Sequence, residues 1–141
     1  MIPTSHLHPM LVHFPIALIA IGFVAEVASL FIKKEICLSK ISFYLLIVGT
    51  LCAILTWLSG DLFTAEMTGA AGEIRETHEI FAGISLLLLI LTSILRTLLL
   101  RKTSSSWLKS VSFITYTLAT IAVTITGYFG GTLVYNYMMP L

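Results

Sequence analysis

Charge is what this sequence has least of. Its 141 residues hold 8 Lys and Arg and 7 Asp and Glu, so 11% are charged, where a soluble domain carries about 25%. That scarcity excludes an ordinary soluble domain. A formal net charge of +1 leaves no basic face for nucleic acid. Cysteine is nearly absent as well. Cys37 and Cys52 lack any metal-ligand spacing, and free, packed thiols are expected. No basic n-region and no A-x-A cleavage site accompany the first apolar run, so it is expected to be retained rather than removed as a signal peptide. No Ser or Thr forms an evident nucleophile–base pair, which argues against independent catalytic activity. Four spans without a broken helix in mid-membrane are few for a carrier.

What is abundant is apolar. Hydrophobic residues make up 57% of the chain and the mean hydropathy is +1.00. Four apolar runs appear, at about 10–32, 41–63, 80–100 and 111–137. Each reaches the roughly 20 residues that cross about 30 Å of hydrocarbon. Backbone groups in lipid must be satisfied within the segment, so these runs predict helices. The short connections "KKEICLSK" and "RKTSSSWLK" force antiparallel neighbours, whereas the middle connection, about 64–77, is longer. The expected fold is an all-α, four-helix transmembrane bundle that forms a single domain over 1–141.

Lys33, Lys34, Lys40, Arg96, Arg101, Lys102 and Lys109 fall at one edge and only Arg75 at the other. The positive-inside rule then puts the two short loops in the cytoplasm and both termini outside. His6, His8, His13 and His78 all fall at the outer edge, with Asp61, Glu66, Glu73, Glu76 and Glu79.

Laid on itself at an offset of 70, the chain matches "ISF" at 41–43 with "VSF" at 111–113, and Thr50, Thr56 and Gly60 with Thr120, Thr126 and Gly130. His8 falls on His78, and Glu26 on Arg96. Each half is one hairpin and both enter from the same side, a parallel repeat about an axis along the membrane normal. Glu26 and Arg96 lie inside apolar helices, where an ionised side chain costs about 2.5–3.5 kcal/mol on insertion scales. An ion pair between them is the economical solution. His8 and Glu26 are 18 residues apart, as are His78 and Arg96, and 18 residues make five whole turns. If Glu26 meets Arg96, His8 faces His78. The same face of the third helix reads Ala82, Ser85, Thr92, Arg96, small or polar throughout.

"HPMLVHFPIAL" at 8–18, Gly60–Asp61, His78 and "GGTLVY" at 130–135 together resemble the bacterial membrane family catalogued as domain of unknown function 2231. The resemblance covers nearly the whole chain. It departs at Glu79, where relatives typically follow the histidine with alanine. It implies a four-helix domain of the bacterial inner membrane, and the charge rule then makes the chain multi-pass with both termini periplasmic. It also implies redox company, since relatives are fused to cytochrome c or Rieske-like domains. It supplies no activity.

Three uses of the outer edge follow. The first is a b-type haem in electron transfer with a respiratory or cytochrome-type partner, ligated by two neutral imidazoles on facing helices. His78 is one ligand. The other is His8, favoured by phase, or His13, favoured by depth because His8 precedes Pro9 and is expected to be extended there. Glycines of the outer half, Gly60, Gly127 and Gly131 with Gly83 and Gly130, could leave room for the macrocycle, and Thr126, Tyr128 and Tyr135 could bond its periphery. Gly127-x-x-x-Gly131 also reads as a helix contact motif. The second use is a single transition-metal ion on His8, His13, His78 and Asp61, with Glu79 or His6 in support. The third is a cofactor-free accessory or anchoring subunit of a respiratory assembly. Lipid is a partner in every case, and a homo-oligomer is compatible with all three.

Overall fold

The computed structural model describes residues 7–32, 35–64, 66–101 and 105–137. His6, Lys33, Lys34 and Lys102 lie outside them. The elements are α1 (Leu7–Leu11), α2 (His13–Phe31), α3 (Ile36–Phe63), α4 (Gly69–Arg101) and α5 (Ser106–Tyr137). Four helical stretches are long and apolar enough to cross a membrane, the first formed by α1 and α2 together.

Val12, between α1 and α2, keeps helical dihedrals, and the helical hydrogen bond missing beside it has a local cause. Pro15 has no N–H to give the Leu11 carbonyl, four residues earlier. The Thr56 hydroxyl of α3 donates to that carbonyl instead, at 3.4 Å. The neighbouring bond from Ile16 N to Val12 O is stretched to 3.5 Å. His8 is helical rather than extended, and the Val12 N–H donates to its carbonyl at 3.1 Å. Pro9 sits in the first turn, where its missing N–H has no helical partner to lose.

The middle connection is shorter than its polarity suggests, because α4 begins at Gly69 and not near 80. Its first turns, "GAAGEIRET", are rich in helix formers. Arg75 pairs with Glu79 one turn on at 2.9 Å and reaches back to Glu66 at 2.7 Å. Gly69, at φ +65°, lets the chain turn sharply into the helix. Apolarity marks where the hydrocarbon lies, and α4 continues past it: 33 residues rise about 50 Å. The starts of α3 and α5 likewise precede their apolar runs by five residues each, 36 against 41 and 106 against 111.

α2 packs on α3 and α4 on α5 over the largest surfaces; α3 meets α4 and α5 meets α2, closing the ring. The repeat is visible in the packing. Ile19 and Leu89, Leu46 and Tyr116, and Ser42 and Ser112 are pairs related by the offset, and all six are buried. The interior is otherwise small and polar: Thr50, Thr56, Ser59, Ser85, Thr92 and Thr115 are buried, while Leu, Ile and Phe cover the outside. This is the pattern of a bundle in lipid, where small residues let helices approach and apolar side chains meet acyl chains.

Candidate functional site: two facing histidines

The two halves of the repeat place their histidines in the same way. Nδ1 of His8, on α1, lies 3.1 Å from the Thr56 carbonyl of α3. Nδ1 of His78, on α4, lies 3.0 Å from the Thr126 carbonyl of α5. A carbonyl only accepts, so each Nδ1 carries the hydrogen. The Ser59 hydroxyl fits that assignment: its hydrogen goes to Thr56 O at 2.7 Å, leaving its oxygen to accept from His8 Nδ1 at 3.0 Å. In neutral imidazoles Nε2 is then a bare lone pair. Among the described residues no protein hydrogen bond reaches either Nε2. The ring centroids are 6.4 Å apart and the planes cross at 86°.

The rings lie against glycine. A Cβ at Gly60 would stand 3.0 Å from His8 Cε1, and one at Gly130 would stand 3.1 Å from His78 Cε1. Each α3 and α5 thus presents Thr-x-x-x-Gly, with the accepting carbonyl and the bare position one turn apart on the same face. Gly130, named from sequence with the other outer glycines, belongs to this arrangement, and so do Thr56 and Ser59, which sequence reasoning did not select for the site. For Thr56 the offset of 70 was the available signal. Ser59 has none, because its counterpart is Phe129, which stacks on Phe81 at 5.9 Å.

Other residues singled out from sequence stand elsewhere. His13 is exposed, with Nδ1 2.8 Å from the Pro9 carbonyl one turn earlier in the chain. Asp61 is exposed, and Glu79 is held by Arg75. Gly127 packs against Ile16, whose Cδ1 would be 3.2 Å from a Cβ there, while Gly131 faces open space. Tyr128 and Tyr135 point outward, 71% and 84% exposed. Among the described residues no group of three His, Cys, Asp or Glu is placed to hold an ion.

At the opposite end of the bundle interior Arg96 pairs with Glu26, and its guanidinium also donates to Ser42 Oγ at 3.3 Å. Glu26 is only 6% exposed. Facing of the two histidines and pairing of the two charges are the same geometric fact, five turns apart along α1–α2 and α4.

No curated protein and no solved structure matches the chain. The sequence model of one family, described as a predicted membrane protein, matches residues 4–140, and the chain belongs to that family, DUF2231.

Proposed function

We propose that this protein is an integral membrane electron-transfer protein that holds a b-type haem between His8 and His78. The observation that carries the reading is the matched pair of Nδ1–H imidazoles, whose Nε2 lone pairs meet no donor among the described residues. The ring centroids are 6.4 Å apart, so both imidazoles border the same interior space and could hold one metal between them. A bare zinc-type ion needs three or four protein ligands. Haem brings its own four nitrogens and asks the chain for two. Bound haem supplies one-electron chemistry. The chain's part is to fix the tautomer through Thr56 and Thr126, to orient the rings against Gly60 and Gly130, and to keep the site near one membrane surface, where a respiratory partner can approach.

Lys40, Arg96, Arg101 and Lys109 lie toward the end of the bundle away from the histidines. With the positive-inside rule this favours the bacterial inner membrane with the histidine end and both termini periplasmic. A periplasm-dependent reporter fused after Leu141 is expected to be active and a cytoplasm-dependent one silent. The reverse pattern would move the site to the cytoplasmic side.

The glycines give a selective test. Gly130→Val is expected to push the imidazole of His78 out of place and to lower haem content severalfold. Gly131→Val, whose side chain meets open space, is expected to leave it unchanged. Wild-type protein expressed with ample haem and purified in mild detergent is expected to show a Soret band and a sharp α-band on reduction. A colourless protein would favour the cofactor-free anchoring subunit in its place.

A further inference from the structure

The repeat makes two equivalent seams between hairpins, α2 with α5 and α3 with α4, and they differ. The first is closed. Phe23 fills it, stacked on Phe113 with centroids 6.0 Å apart and edge-on to Tyr116 at 5.4 Å. The offset of 70 puts Ser93 in the place of Phe23. There the seam is open, a groove of about 380 Å³ lined by Thr50 of α3 and by Ile90, Ser93, Ile94 and Leu98 of α4. Arg101 ends the groove, where the closed seam has Phe31. The bundle does not require an opening here, since its other half fills the same position.

We propose that this groove holds one acyl chain of an anionic phospholipid, with the lipid phosphate bound by Arg101. The dimensions fit one leaflet. Ile90 to Arg101 is 11 residues of helix, about 16 Å at 1.5 Å each, and half of a ~30 Å hydrocarbon core is about 15 Å. The walls suit a chain without polar groups. Thr50 donates to Leu46 O at 2.8 Å, Ser93 bonds Thr50 at 2.9 Å, and Thr97 donates to Ser93 O at 2.8 Å. Every hydroxyl is satisfied inside the protein, so a chain laid over them strands none. Arg101 closes the last turn of α4 and is exposed. Among the described residues no carboxylate pairs with it. A guanidinium at that depth matches a phosphate in geometry as well as charge, and basic pockets between helices are where anionic headgroups are selected.

The test uses the purified protein, stripped of lipid in detergent and titrated with phosphatidylglycerol or phosphatidylcholine of matched chains, with bound lipid counted by native mass spectrometry. Wild type is expected to retain one lipid and to prefer phosphatidylglycerol. Arg101→Gln should reduce that preference about fivefold, the effect of one basic side chain near an anionic headgroup, while phosphatidylcholine still binds. Ser93→Phe, which copies the closed seam, should lose retention of both lipids. Equal affinity of wild type for the two lipids would overturn the proposal, as would unchanged retention in Ser93→Phe. So would cysteine cross-linking that shows a second copy of the chain seated in the groove. If Ser93→Phe does not fold, the Arg101→Gln comparison decides alone. None of these results depends on whether haem is bound.

Discussion

His78→Ala is expected to abolish the low-spin haem spectrum, and His8→Ala to do the same, while His13→Ala keeps it. A b-type haem would take two histidine ligands, and among the described residues only His8 and His78 share the interior between the hairpins. His13 is the control because it has the same chemistry and lies five residues from His8, yet it is exposed and bonded to the Pro9 carbonyl. The three variants should remain folded, because His8 and His78 spend only Nδ1 on the protein, each bond contributing about 0.5–1.5 kcal/mol. Absorption spectra, with helicity measured by circular dichroism alongside, check both parts. Loss of haem in His13→Ala with retention in His8→Ala would exchange the ligands and break the symmetry argument.

Removing the buried carboxylate gives the second large effect. Glu26→Ala is expected to cost about 3–5 kcal/mol, since it leaves the Arg96 charge in the interior without its partner. Glu26 and Arg96 side chains are 8% and 13% exposed, so little solvent is there to take its place. Ser42 remains as one weak acceptor at 3.3 Å. The double variant Glu26→Ala with Arg96→Ala is expected to recover part of the loss, because no charge is then stranded. Unfolding in detergent measures all three. Additive single effects would mean that the pair contributes no coupling.

The facing of His8 and His78 and the ion pair share one origin in the sequence, an offset of 70 combined with a spacing of 18. Neither depends on the exact ends of helices, which is why both were legible. Other features were hidden for physical reasons. Polar residues of "GAAGEIRETH" disguise the start of α4, because hydropathy reports the membrane and not the hydrogen-bonded helix. His8 and His13 stayed alternatives in the sequence because phase favours the first and depth the second. In the structure helical dihedrals continue through Val12, so His8 stays in phase with Glu26 and His13 lies on the exposed face. Gly131 drew notice through Gly-x-x-x-Gly, yet its neighbour Gly130 touches the imidazole. There the repeat register was the better guide than the local motif. The open seam at Ser93 was invisible for a different reason: a groove is what side chains fail to fill, and only the comparison with Phe23 in the folded bundle reveals it.

The central claim is that His8 and His78 ligate one iron from opposite sides, and electron paramagnetic resonance of the oxidised, purified protein tests it most directly. The account predicts a low-spin ferric signal at one spin per chain. A high-spin ferric signal, or protein without iron from haem-replete cells, would contradict it.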